Sequence, residues 1–381
     1  MKIIYFGSID KNFTNNQIFW RGFTQNQVDI VDLVVNTPIT PLNYVEDTNV
    51  RSLIKRVINK FAVLPLVFKK WHDMKGANAV FVGYPGHFDI PLAYIVSRIL
   101  GIPLVFYPVL ILSVTFRDDI KLFTGPSWKL IFLTQFERMM YRLCDLIIAD
   151  GPFQLNTFNT EFGVPSKKLH YVYTGANDAL YQYAPINDLK SPFNVVYYGM
   201  YTPLHGVEYI LKAAKILINH PKIVFQMVGN GKIYKEMRQL AKDLQVVNVQ
   251  FYPGIRESQA KPLLAKAWVF LGLFADSPSV KRQIANKVFQ GMAMGKTVIT
   301  ADTPIIRTAL KPNKNVSLVP AASPQALANA ILKLQQNRYL AQSIGKVARL
   351  TFEQEFTPKI VTGKIIQIIK AYNTNKRFAS S

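Results

Sequence analysis

Acid is scarce in this 381-residue chain: 23 Asp and Glu stand against 45 Lys and Arg, for a formal net charge of +22. Cysteine is scarcer still. The single thiol, Cys144, excludes a disulfide framework and a cysteine-built zinc site, and it fits a reducing compartment. Charged residues of both signs total only 18% while hydrophobic ones reach 49%, a balance that excludes wholesale disorder. Long apolar runs are few. KIIYF at the start is too short for the core of a secretory signal, so none is expected. The uncharged stretch ILGIPLVFYPVLILSVTF, between Arg98 and Arg117, is broken by Gly101, Pro103 and Pro108. It reads as a helix end, a turn and a buried strand rather than a membrane span.

Several chemical signatures are also missing. There is no GxxxxGK[ST] phosphate loop and no strand-linked GxGxxG. Without a GxSxG elbow a serine hydrolase is disfavoured. The five histidines are scattered, with no HExxH and no paired carboxylates, so no metal site is expected. What the chain does have is positive charge in one half. Residues 1–190 carry 19 basic and 15 acidic side chains, residues 191–381 carry 26 and 8. Such an excess implies an anionic partner: nucleotide phosphate, nucleic acid or an anionic bilayer. Nucleic acid is set aside because no recognition motif accompanies the cations.

Twelve short apolar runs punctuate the chain. KIIYF, VDIVDLVV, AVFVGYP, PLVFYPV, LIIAD and LHYVYTG precede residue 180, and NVVYYG, IVFQMVG, VNVQFYPG, WVFLGLF, TVITAD and NVSLVP follow residue 190. Helical spacing fills the gaps, near 89–100, 126–144, 206–219, 231–244, 257–267, 284–294 and 324–337. Continuous apolar strands alternating with helices predict buried parallel sheets, here two doubly wound α/β domains. The expected division is 1–180 and 191–356, joined by the linker YQYAPINDLKSPFN, with a last helix over 357–373 returning to the first domain.

Doubly wound sheets bind ligands at the carboxyl ends of their strands, so a shared site is expected in a cleft between the domains. Residues placed there are Gly7, His87 within GYPGHFD, Gly199, and Gly229 and Gly231 around Asn230. The most informative stretch is FADSPSVKRQIANKVFQGMAMGKTVITADTPIIR, residues 274–307. Lys281, Arg282 and Lys287 cluster near the start of an expected helix, with Asn286 and Gln290 one turn apart beside them. Cations at a helix N-terminus suit a diphosphate, and Gln290 could hydrogen-bond a ribose.

That stretch resembles the donor-binding segment of family-four glycosyltransferases of the GT-B fold. YYGMYTPLHGVEYILKAAKIL and FQMVGNG resemble the family's first two strand–loop–helix turns of the C-terminal domain. The resemblance covers most of 190–337 and is weaker over 1–180. Leu-His-Gly and IANKVFQ point to a bacterial subgroup. It implies a GT-B architecture, an N-terminal acceptor domain and a C-terminal nucleotide-sugar domain. It further implies retaining, metal-independent sugar transfer from a nucleotide diphosphate co-substrate, with no other cofactor, to a glycan or lipid-linked acceptor at the cytosolic face. Departures are specific. Arg282 and Gln290 occupy the places of two glutamates, Met200 and His205 those of an Arg and a Lys, and ILSVT replaces an Asp near 111–115. On this reading His205 takes over diphosphate contact, titrating near neutrality, and His87 and Asp119 are the catalytic candidates. A non-catalytic scaffold of the same fold is the alternative.

Membrane contact is expected from residues 51–75, RSLIKRVINKFAVLPLVFKKWHDMK, which hold seven basic side chains and one acid. Leu53, Ile54, Val57, Ile58 and Phe61 share a helical face, with Arg51, Lys55, Arg56 and Lys60 spread around the other sides, and Pro65 should end or kink the helix. Leu64, Leu66, Val67, Phe68 and Trp71 would extend the apolar surface of a peripheral, non-spanning contact with anionic lipid.

Overall fold

The computed structural model describes residues 1–37, 61–119, 127–186, 188–254 and 257–380. The chain divides into two compact units, Met1–Thr174 with Pro358–Ser381, and Gly175–Thr357. Every one of the twelve apolar runs contains a strand, because strands buried on both faces leave no alternating polar positions. The first unit holds β1 (Lys2–Ile9), β2 (Asp29–Asn36), β3 (Ala79–Val82), β4 (Leu104–Phe106), β5 (Leu146–Ala149) and β6 (Leu169–Tyr171), in the order β2-β1-β3-β4-β5-β6. The second holds β7 (Phe193–Tyr198), β8 (Ile223–Val228), β9 (Val249–Tyr252), β10 (Ala267–Leu271), β11 (Thr297–Ala301) and β12 (Ser317–Val319), in the order β12-β11-β10-β7-β8-β9. All described ladders are parallel. Strand order reverses between β1 and β3 in one sheet and between β7 and β10 in the other. Those are the switch points at which open α/β sheets leave room for a ligand.

Alternate residues of the first sheet serve two cores. Ile4, Phe6, Val80, Val82 and Phe106 meet Val67, Ala93, Val96, Met140 and Tyr141 from helices on one face. Ile3, Tyr5, Phe81 and Tyr107 meet Phe19 and Phe23 of the helix Thr14–Gln25 on the other, together with Val361, Ile365 and Ile369 of the last helix, Pro358–Ser380. The uncharged run after Arg98 is the end of the helix Ile90–Ile99, a turn through Gly101, and β4. Among the described residues no helix is long and apolar enough to cross a membrane.

Three features differ from expectation. The division falls at Thr174, ahead of the 181–194 segment, because that segment is tied to the second unit. Arg338 Nη1 donates to the carbonyls of Leu189 and Ser191 at 2.6 Å, and Gln342 Nε2 to Ile186 O at 2.7 Å. An additional helix, Arg338–Glu355, buries Ile344, Ala348 and Phe352. Pro65 opens the helix Leu64–Lys69 rather than ending one, a first-turn place where its missing N–H costs nothing. Val67 is buried and Leu66 and Trp71 pack on the sheet, which leaves Phe68 of that run at 78% exposure. Residues 51–60, including Lys55, Arg56 and Lys60, lie outside the described residues.

The last helix docks at Gly22, where an added Cβ would sit 2.1 Å from the carbonyl oxygen of Pro358. Helix propensity alone would make Gly22→Ala stabilising by about 1 kcal/mol. The backbone clash is larger, so Gly22→Ala should lower the denaturant midpoint, and an unchanged or higher midpoint would refute this packing.

Candidate functional site

The switch point of the second sheet is built from three close turns. Gly199 ends β7 with φ +151°, and Gly229 follows β8 with φ +133°. A Cβ on Gly229 would lie 2.0 Å from Gly199 O, and one on Gly199 would lie 2.9 Å from Lys287 Nζ. Only glycine allows both the torsions and the approach. Gly231 is also held close, its Cα side packed on the Tyr201 backbone.

Lys287 is the second residue of the helix Asn286–Ala293, which begins after Ala285 in an extended conformation. Its side chain is 6% exposed. The ammonium lies 4.1 Å from the centre of the Tyr197 ring and 3.4 Å from His205 Nδ1. Among the described residues no carboxylate forms an ion pair with it. Burial therefore lowers its pKa to about 7. His205 closes the short turn Pro203–His205, with Nδ1 hydrogen-bonded to Met200 O and 2.7 Å from the Tyr197 hydroxyl. Burial, and then the Lys287 ammonium, push its pKa well below the usual range. The expectation that His205 titrates near neutrality is thus overturned: it stays a neutral imidazole, and the group that titrates is Lys287.

The other cations stand differently from their sequence placement. The helix starts at Asn286, so Lys281 and Arg282 belong to the preceding turns and not to its first turn. Lys281 is exposed and paired with Asp276 at 2.8 Å, and Arg282 Nη2 reaches Ser279 Oγ at 3.4 Å. Gln290 is 6% exposed and lies one turn beyond Asn286. Lys296, equally shifted by burial to about 7, donates to the carbonyls of Ala184 and Ala265 at 2.5 Å. Those carbonyls satisfy it, and its work is structural.

In the first unit, Gly7 lies at the switch point against Asp89, whose Oδ1 accepts from Ser8 N at 2.9 Å. His87 does not face outward. It is 1% exposed, edge-on to Phe106, with Nε2 3.4 Å from the Tyr141 hydroxyl and 3.7 Å from Glu137 Oε1. Glu137 is fully buried and accepts from Leu112 N at 2.7 Å, Ser113 N at 2.9 Å and the Tyr141 hydroxyl at 2.8 Å. Burial raises its pKa against those hydrogen bonds. The loop 111–115 therefore gains a carboxylate from a neighbouring helix. Sequence reasoning missed both Glu137 and Asp89. The only available signal for Glu137 was a single acid inside an otherwise apolar-faced helix. The Asp119 side chain lies outside the described set, and Asp118 is held by Arg117 at 2.8 Å. No group of three or more His, Cys, Asp or Glu that could hold a metal ion occurs among the described residues.

Residues 192–337 match the model of the family described as Glycosyl transferases group 1. Solved structures of similar fold span nearly the whole chain. The HepE protein of Anabaena, in complex with UDP-glucose, superposes with a TM-score of 0.68 at 17% identity, covering 97% of this chain and 100% of its own. Sucrose-phosphate synthase of Thermosynechococcus elongatus gives 0.67 at 14% identity, over 100% and 99%. A glycosyltransferase of Rickettsia africae gives 0.64 at 13% identity, over 97% and 98%. The chain has the GT-B fold of these structures, and its residues 192–337 resemble the Glycosyl transferases group 1 family. No curated protein matches its sequence.

A buried ammonium with no carboxylate partner among the described residues burdens the fold while no ligand is bound. The folded-state pKa of Lys287 lies below its unfolded value, so the cost is full below about pH 7 and fades as pH rises toward the unfolded value. Lys287→Met should therefore raise stability at pH 7 by about 1–4 kcal/mol, with the gain shrinking at higher pH. A loss of stability in urea unfolding at pH 7 would contradict this.

Proposed function

We propose that the protein transfers a sugar from a nucleoside diphosphate donor held in the second unit to a glycan or lipid-linked acceptor at the cytosolic face of a membrane. Transfer proceeds with retention and without a metal. The carrying observation is the buried Lys287 ammonium at the β7/β10 switch point, adjoining two glycine turns and lacking a carboxylate partner among the described residues. A diphosphate supplies the missing anion, and the glycines leave room for it beside the backbone. Lys287, with Arg282 and Lys281 from the preceding turns, neutralises charge on the departing nucleotide, the task a metal would otherwise perform. His205 contributes a neutral hydrogen bond rather than a charge. Asn286 and Gln290 take ribose or sugar hydroxyls, and Gly7, Gly199, Gly229 and Gly231 allow close approach. Asp119 is retained on the acceptor side. His87, being buried on Glu137, is assigned to holding the 111–115 loop and not to the reacting sugar. UDP is the favoured nucleotide because the HepE structure contains UDP-glucose.

A second reading, a non-catalytic scaffold of the same fold, is favoured by Arg282 and Gln290 standing where the resembling family has glutamates. Turnover separates the two. Incubation with UDP-, GDP- and CMP-sugars and a membrane extract should release UDP from a UDP-sugar, whereas binding without release would establish the scaffold.

Donor binding should also respond to pH in a particular direction. UDP-glucose affinity should fall as pH rises through about 7, where Lys287 loses its proton. Lys287→Met should weaken binding by about 1.5–3 kcal/mol and flatten that profile. His205→Gln should leave its midpoint in place. A profile that follows His205 instead of Lys287 in calorimetric titration would reverse the assignment.

A further inference from the structure

Two adjoining helices of the first unit carry apolar side chains on the side away from the core. In the helix Trp128–Leu143, Trp128 is 74% exposed, Ile131 61%, Phe132 70% and Met139 53%. Their spacing of three, one and seven residues places them in one stripe. The opposite side of the same helix is already used, with Glu137, Met140 and Tyr141 buried against the sheet. The helix Ile90–Ile99 likewise buries Ala93 and Val96 and exposes Ile95 at 53% and Ile99 at 62%. Phe88, just before it, stacks on Phe136 at 4.9 Å and binds the two helices side by side. Six large apolar side chains on neighbouring helices are more than scattered surface hydrophobics, and a patch of this kind marks a protein or membrane contact.

The charges decide which. Trp128–Leu143 carries Lys129, Arg138 and Arg142, and its one acid, Glu137, is fully buried. Ile90–Ile99 carries Arg98 and no acid. The acids at the margin are engaged, Asp145 by Arg98 and Glu161 by Arg117. A second copy of the chain laid face to face on this surface would oppose cations with cations. A bilayer with anionic headgroups accepts the apolar side chains and attracts the cations together.

We infer that the stripe Trp128, Ile131, Phe132 and Met139, with Ile95 and Ile99 beside it, is the surface by which the first unit lies on an anionic bilayer. This rests on the membrane-face part of the proposed function and moves the contact away from residues 51–75. Trp128 and Phe132 enter the headgroup boundary, and Lys129 and Arg142 meet lipid phosphates.

Sedimentation of the full chain with phosphatidylcholine vesicles, with and without phosphatidylglycerol, tests it. Wild type should bind the anionic vesicles in preference and release them with salt. Trp128→Ser combined with Phe132→Ser should weaken that binding at least about tenfold, and Lys129→Glu combined with Arg142→Glu should weaken it on anionic vesicles alone. Because these side chains are exposed, melting temperature and UDP-glucose affinity should stay at wild-type values in both variants. Replacement of Lys55, Arg56 and Lys60 by Glu should have the smaller effect. Wild-type binding that both stripe variants retain would overturn this surface and leave the membrane-face reading standing. Failure of wild type to bind any vesicle would overturn both, as would a stripe-dependent dimer that binds no lipid.

Discussion

A lysine ammonium sealed from water, with no carboxylate beside it among the described residues, is an unfavourable arrangement that either loses its proton or gains from an added anion. Lys287 is that arrangement here, and the surrounding residues are explained by it. Gly199 has no Cβ because Lys287 Nζ takes the space, and Gly229 has none because Gly199 must come close. The Tyr197 ring faces the ammonium, and burial and the ammonium itself keep His205 neutral beside it. Strand order places all of these at one switch point, since β7 delivers Gly199 and the segment after β10 delivers Lys287.

Lys296 shows that burial alone would not support this argument. It lies nine residues further on, is as deeply buried and is shifted to the same extent, yet two backbone carbonyls satisfy it. The difference between the two lysines is their partners. One fastens the segment before β7 to the second unit, and the other, among the described residues, meets the Tyr197 ring, the neutral His205 imidazole and Gly199. The first unit has a comparable economy at its own switch point: Asp89 and Glu137 are both occupied by backbone N–H groups, Ser8 in one case and Leu112 and Ser113 in the other. Both carboxylates fix loop backbone.

The strands were legible because parallel strands buried on both faces read as unbroken apolar runs, from KIIYF to NVSLVP, and no competing period obscured them. Helices with a clear apolar face, such as Val207–Ile216, were legible for the same reason. Arg338–Glu355 was not, since its buried positions are mixed with Gly345 and polar residues. The glycine turns could be picked out from their place after strands, and Lys287 from its place at the start of an expected helix. What pattern could not supply was partnership. Nothing in the sequence says that His87 turns inward to Glu137, that Lys281 pairs with Asp276, or that His205 loses its charge to burial. Each depends on side chains 5 to 82 positions away along the chain.

The central claim is that Lys287 is a partly neutral base awaiting a diphosphate. Calorimetry of UDP-glucose binding at about pH 8, repeated in buffers of different ionisation enthalpy, measures it directly. With a free-state pKa of about 7, the lysine is mostly deprotonated before binding and protonated after it. The account predicts that a large fraction of one proton is taken up from the buffer per UDP-glucose bound. Binding enthalpies independent of the buffer, and hence no proton uptake, would contradict it.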